Sequence, residues 1–390
     1  MPVINRIAAF QPEMQAWRRD IHAHPELGYE EHRTSETVAR LLAEWGIEVH
    51  RGIAGTGVVG VLRAGNSARA IGMRADMDAL AMPEETGLEH ASRNPGRMHA
   101  CGHDGHTAML LGAAKYLAET RQFDGTAVFI FQPAEEGGAG GQRMVQEGLF
   151  QRFPVDAVYA VHNDPGSKLG EMKVVAGPVL AAADGLDIRV RGRGGHAARP
   201  HLAIDPVLVG AQIVVGIHQI VSRRVDPLDS AVISLCQFSA GSARNVIPDS
   251  AEIRGTVRTL LPRTQDEMER LITQTAQGIA ALNDTEVEVD YQRGYPPTVN
   301  HPGETGRAAL AAAKVSGIER VIRDAPPVMG GEDFSFMLLE RPGCFVRIGQ
   351  ADGAKGAVPV HNTKYDFNDD LLPIGASFFA SLVEQELPKP

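Results

Sequence analysis

The stretch Met98-His-Ala-Cys-Gly-His-Asp-Gly-His106 gathers one cysteine, three histidines and an aspartate within nine residues. Thiolate with imidazole suits a borderline-soft divalent ion such as Zn²⁺ better than a hard one. Gly102 and Gly105 let the backbone bend so that Cys101 and His103 can face one centre. Taken alone, this Cys-x-His pair reads equally as a buried cysteine among helix-start histidines. A second group, Phe131-Gln-Pro-Ala-Glu-Glu-Gly-Gly138, sets two adjacent carboxylates directly after a strongly apolar run. One carboxylate on a metal, with its neighbour free to take a proton from the attacking water, is the useful arrangement. An acidic turn is the plain alternative. His162 in Ala160-Val-His-Asn-Asp164, His361 in Val360-His-Asn-Thr-Lys-Tyr-Asp366 and the acidic pair in Arg74-Ala-Asp-Met-Asp78 complete the set.

These groups need elements that bring them together. Residues 13–24 and 34–45 have amphipathic helical spacing, the second ending at Gly46. Short apolar runs at 58–62, 70–74, 126–131 and 156–161 read as buried strands, and 107–119 and 141–147 as helices. This alternation predicts an α/β layer fold with a largely parallel sheet. Open α/β sheets bind ligands at the carboxyl ends of their strands, and three of these strands lead into Asp76, Glu135-Glu136 and His162. Cys101, His103, Glu136, His162 and His361 then give five candidate ligands. That exceeds one tetrahedral site and points to two metals sharing a bridge, about 3.5–4 Å apart.

Near residue 184 the pattern changes to period-2 alternation (186–191), then a helix (205–221), two alternating strands (231–238, 251–259), a helix (265–281) and a strand (286–291). The order β-α-β-β-α-β is ferredoxin-like. The expected organisation is a mixed α/β catalytic domain, 1–184 and 297–390, interrupted by an inserted α+β domain, 185–296. That insert carries His196 in Arg193-Gly-Gly-His-Ala-Ala-Arg-Pro200, by itself an exposed turn histidine, and Asn245, which could bind a carboxylate or cap its turn.

Other features are set aside. Gly55-Thr-Gly-Val-Val-Gly60 fits a dinucleotide fingerprint only formally, because 58–62 is itself a strand. His22-Ala-His24 reads as structural or surface, and His106 as supporting or packing rather than ligating. The net charge of −10 disfavours nucleic acid. The most apolar run, 204–221, is broken by Asp205, Pro206, Gln212, His218 and Gln219, short of the ~18–20 uninterrupted apolar residues of a membrane helix. Three scattered cysteines and an N-terminus without a signal-peptide pattern lead to the expectation of a cytoplasmic protein.

With these motifs in order, and with Gly330-Gly-Glu-Asp-Phe-Ser335 and Ala243-Arg-Asn-Val-Ile-Pro248 beside them, the chain resembles the metallo-aminoacylase/carboxypeptidase amidohydrolases from end to end. The branch it resembles is typified by hippurate hydrolase and the plant auxin-conjugate hydrolases. The resemblance implies a zinc-peptidase-like catalytic domain with a lid domain that dimerises. It implies the same five ligands for two divalent ions per subunit (Zn, Mn, Ni or Co), with Glu135 as general base. Asp76 would orient a ligand, and His196 would stabilise the oxyanion, in cis or from the partner subunit. The implied substrate is a small N-acyl amino acid, whose carboxylate lid residues such as Asn245 would hold. One departure is Ala81 after Asp-Ala-Leu80, where many relatives have proline. The readings weighed against this one are a dipeptidase or carboxypeptidase, a cysteine hydrolase with Cys101 as nucleophile, and a binding protein without turnover. The second leaves Glu135, Glu136, His162 and His361 without a role.

Overall fold

The computed structural model describes residues 3–390 and divides into two compact units. The first comprises residues 3–177, 299–326 and 333–390, and the second residues 178–298 and 327–332.

The first unit is built on an eight-stranded mixed sheet. Strands Glu48–Ile53 and Gly57–Ala64 form an antiparallel hairpin at one side. Gly57–Ala64 pairs antiparallel with Gly125–Gln132. From there Gly125–Gln132, Ala70–Asp76, Ala157–Lys168 and Gly343–Ala351 run parallel to one another. Beyond Gly343–Ala351, Met172–Lys173 pairs antiparallel with it and parallel with the edge strand Val321–Ile322, so the sheet is mixed on that flank and antiparallel on the other. The helix His103–Thr120 is buried at thirteen positions around its circumference, which is why its sequence shows little amphipathic period. It packs in one core with residues of Gln11–Ala23, His32–Glu44, Pro302–Ser316 and Leu372–Glu386.

This helix corrects the sequence reading at its start. It begins at His103, four residues before the expected 107, so His103, Asp104 and His106 lie in its first turn rather than in a loop. Gly102, at φ +96°, makes the bend. Gly105 is helical, and its role is space: a Cβ there would stand 2.3 Å from the Phe367 ring. The strand expected at 156–161 also continues to Lys168, so His162 is not at its end. Its pairing with Ala70–Asp76 nevertheless stops at Arg74↔Ala160, which leaves His162 beyond the paired region.

The second unit has a four-stranded antiparallel sheet with Ala182–Arg191 and Ser250–Thr259 in the centre and Glu286–Tyr295 and Ala231–Ala240 outside. With helices Pro206–Arg224 and Pro262–Leu282 this is the ferredoxin-like arrangement. Burial alternates along Ala182–Arg191, one face packing on the helices while Asp187, Arg189, Glu252, Arg254 and Glu288 line the other. Pro206–Arg224 is the one helix among the described residues long and apolar enough to cross a membrane. Its Val209, Ile213, Ile217 and Ile220 are buried in this unit's core.

Candidate metal and catalytic site

Register explains why the candidate residues of the first unit meet. Asp76 lies opposite Gln132 and Arg74 opposite Ala160, so Asp76, the turn after Gln132 and His162 reach the same edge of the sheet. His361 joins them because its backbone N–H donates to Ala100 O at 2.7 Å. His361 itself has φ +60°, and Ala134, which precedes the two glutamates, has φ +51°. Non-glycine residues at such angles cost on the order of 1–3 kcal/mol each and persist where surrounding contacts hold them.

Sγ of Cys101 is 3.4 Å from His162 Nε2. Donor atoms of Cys101, His103 and His162 lie within 4.8 Å of one another, as do those of Cys101, Glu136 and His361, and those of His103, Glu135 and Glu136. The five expected ligands and Glu135 therefore form one cluster, with Cys101 common to two of these groups. Both inner imidazoles are oriented from behind. His103 donates Nδ1–H to the Asp78 carbonyl at 2.9 Å, with Asp78 Oδ1 at 3.2 Å, and His162 donates Nδ1–H to Asn163 O at 2.7 Å. This leaves Nε2 of each ring facing the thiol and carboxylates, in the form that binds metal.

Two observations test whether a cation belongs there. His103 Nε2 is buried and has no hydrogen-bond partner. The surroundings are also anionic. Burial works against a charged His103, but Asp76 and Cys101 outweigh it and hold its pKa well above the usual range. Burial and Glu136 push the Cys101 thiol well up. Thiol, imidazole and carboxylate donors gathered around an unpartnered imidazole nitrogen suit divalent transition ions.

Asp76 is fully buried, 2.6 Å from His106 Nδ1 and 3.7 Å from His103 Nε2. Burial raises its pKa, yet Arg74 and the two imidazoles overcome this and keep it well below the usual carboxylate range. His106 bridges Asp76 to Asn163 Oδ1 at 2.8 Å. Sequence reasoning included Asp78 in its acidic pair without giving it a role, and missed Arg18. Asp78 holds His103 and also accepts from Glu136 N at 2.8 Å; the Asp-x-Asp spacing at a strand end was its signal. Arg18 is wholly buried and donates to Asp104 at 2.7 Å and to Asp366 at 2.7 Å, tying the segment of His103 to that of His361. Nothing in its helical context marked it.

His196 and Asn245 belong to the second unit, where both are exposed. They are neighbours there: Ala197 N–H donates to Asn245 O at 3.1 Å, and His196 pairs with Val246. Ala198 N–H donates to His196 Nδ1 at 3.0 Å, so the neutral ring carries its proton on Nε2.

Residues 72–385 match the model of peptidase family M20/M25/M40. The chain is 41% identical over 382 residues to hippurate hydrolase of Campylobacter jejuni, covering 98% of each. It is 40% identical over 376 residues to an IAA-amino acid hydrolase of Arabidopsis thaliana, covering 95% of this chain and 84% of that one. Among solved structures it is similar to the YXEP protein of Bacillus subtilis, a dinuclear metal-binding peptidase of the M20 family. That match has a TM-score of 0.86 at 33% identity and covers 97% of this chain and 99% of the other.

Proposed function

The chain belongs to peptidase family M20/M25/M40, and from that premise we propose that it hydrolyses the amide bond of N-acyl amino acids, releasing a carboxylic acid and a free amino acid. It is a hydrolytic enzyme acting on amides. The observation that carries the reading is the buried Glu135 carboxylate inside a cluster of thiol, imidazole and carboxylate donors. A protein that merely binds metal or peptide needs the ligands but no base.

In this reading Cys101, His103, Glu136, His162 and His361 hold two divalent cations. Bound there, the cations polarise the amide carbonyl and make water acidic enough to react near neutral pH. Glu135 takes a proton from the attacking water and returns it to the leaving nitrogen. Asp78 and Asn163 keep Nε2 of His103 and His162 directed inward. Asp76 steadies the His103 and His106 rings by charge. His196, with its proton on Nε2, donates to the carbonyl oxygen as it gains charge, and Asn245 beside it holds the substrate carboxylate.

Zn²⁺, Mn²⁺, Ni²⁺ and Co²⁺ all suit this donor set. The proposal includes a homodimer formed through the second unit, supported by its exposed Leu202, Leu208, Val215, Phe238 and Val246. It includes a reducing, cytoplasmic setting, supported by three free cysteines. A cysteine hydrolase with Cys101 as nucleophile would leave Glu135, Glu136, His162 and His361 without a role, although their donor atoms cluster with that of Cys101. The test is a panel of N-acetyl- and N-benzoyl-amino acids beside dipeptides, run on chelated enzyme reloaded with each metal in turn. Turnover of dipeptides alone would replace the reading with a dipeptidase, and full activity after complete metal removal would end it.

A further inference from the structure

Glu31 is completely buried just ahead of the helix His32–Glu44, and the mechanism above does not use it. Its Oε1 accepts from Ala134 N–H at 2.8 Å, and its Oε2 from the Thr56 hydroxyl at 2.5 Å. Ala134 is the residue at φ +51° from which Glu135 and Glu136 project. The loop before Glu31 grips the same turn at two more points. Tyr29 donates its hydroxyl hydrogen to Gly138 O at 2.6 Å. Gly28 lies so close that a Cβ would stand 2.9 Å from Ala134 Cβ. From the other side Asp78 accepts from Glu136 N–H. The turn carrying both glutamates is thus clamped by residues 28–31 and Asp78.

A buried carboxylate is an expensive way to satisfy one amide and one hydroxyl. Burial pushes Glu31 up to about 7, and the like-charged Asp78 adds to the rise. What the carboxylate does is accept the Ala134 amide in the strained conformation, so that Glu135 leaves the turn in one direction only. We propose that Glu31 is a positioning residue for amide hydrolysis: by holding the Ala134 turn, it aims the Glu135 carboxylate at the reacting water. This rests on the reading of Glu135 as the base.

The experiment compares Glu31→Ala, Glu31→Gln, Tyr29→Phe and Glu135→Gln in the metal-loaded enzyme on N-benzoylglycine, with bound metal quantified in each. Misplacing a reacting group by an ångström costs up to about 10²-fold, so Glu31→Ala should lose about 10–100-fold in kcat with KM within about threefold of wild type. Metal content should stay unchanged, while amide hydrogen exchange in 134–138 accelerates. Glu31→Gln keeps an oxygen for the Ala134 N–H and should restore kcat to within about threefold and the exchange to normal. A folded Glu31→Ala with wild-type kcat overturns the inference, as does a Gln variant as slow as the Ala variant. If Glu31→Ala does not fold, Tyr29→Phe decides: it should lower kcat severalfold at constant KM, and an unchanged kcat refutes the clamp. Normal turnover by Glu135→Gln would instead remove the base on which the inference rests.

Discussion

Replacing Glu31 with glutamine should make stability less sensitive to rising pH, by an amount that follows from the burial of this carboxyl. Its ordinary pKa is 4.5 and its folded value about 7. Between these values the unfolded chain has released the proton while the folded chain still holds it. Stability therefore falls as pH rises through the window, and the deficit is complete above the folded value. At 1.36 kcal/mol per unit, the full shift corresponds to about 3 kcal/mol, of which roughly 2.5 kcal/mol accrues between pH 5 and pH 8. Glutamine does not titrate, so the variant escapes this loss while sharing every other titration with the wild type. Calorimetric scans of both metal-loaded proteins at pH 5, 6, 7 and 8 should show the Tm of the variant gaining on that of the wild type. The gain should total roughly 5 °C, using about 2 °C per kcal/mol for a large domain. A difference that stays flat over this range would mean that Glu31 titrates like an exposed glutamate, and the account of its burial would be wrong.

Glu135→Gln should retain both metals and lose about 10²–10⁴-fold in kcat, since an amide cannot take the proton; near-normal kcat removes Glu135 from its role. Cys101→Ser should lower bound metal per subunit, because a hydroxyl is a poor substitute for a thiolate, and metal analysis showing full occupancy would displace Cys101 from the ligand set. Gly105→Ala should lower Tm: its new Cβ overlaps the Phe367 ring, and overpacking costs about 1–3 kcal/mol against a gain of up to about 1 kcal/mol in helix propensity. A higher Tm would mean that the ring yields freely. His196→Ala should keep metal and fold yet drop kcat by about 10²–10³-fold, the usual loss for one oxyanion donor; a drop confined to KM would assign His196 to binding instead.

The central strands and the residues at their ends were legible because buried parallel strands are apolar throughout and break off into polar residues where the sheet stops. Strand Glu48–Ile53 was not. It is an outer strand in which only Ile53 is buried, so neither alternation nor an apolar run marks it. The start of His103–Thr120 was obscured by its glycines, which read as a loop although Gly105 serves the approach of Phe367. His22 reads as structural and is so, with Nδ1 2.7 Å from Asp104. Arg18 and Glu31 stayed invisible for another reason: their partners are 86 and 103 positions away, at Asp104 and Ala134, and no local pattern encodes a contact of that span.

The interior place of strand Gly343–Ala351 has a consequence for the order of events during synthesis. Nearly all of the second unit is one contiguous run, 178–298, and can fold once that run has emerged. The first unit cannot close then. The flank of Ala157–Lys168 that Gly343–Ala351 will cover remains an open edge until some 175 further residues have been made. Asp366, which Arg18 needs, and His361 arrive later still. At that point the insert lacks only residues 327–332 while the sheet is still unfinished, and an exposed strand edge in such an intermediate pairs readily with other chains. On the proposed reading, the candidate cation site gains its last member, His361, only when translation is nearly over, which would place entry of the ions in the last stage of maturation.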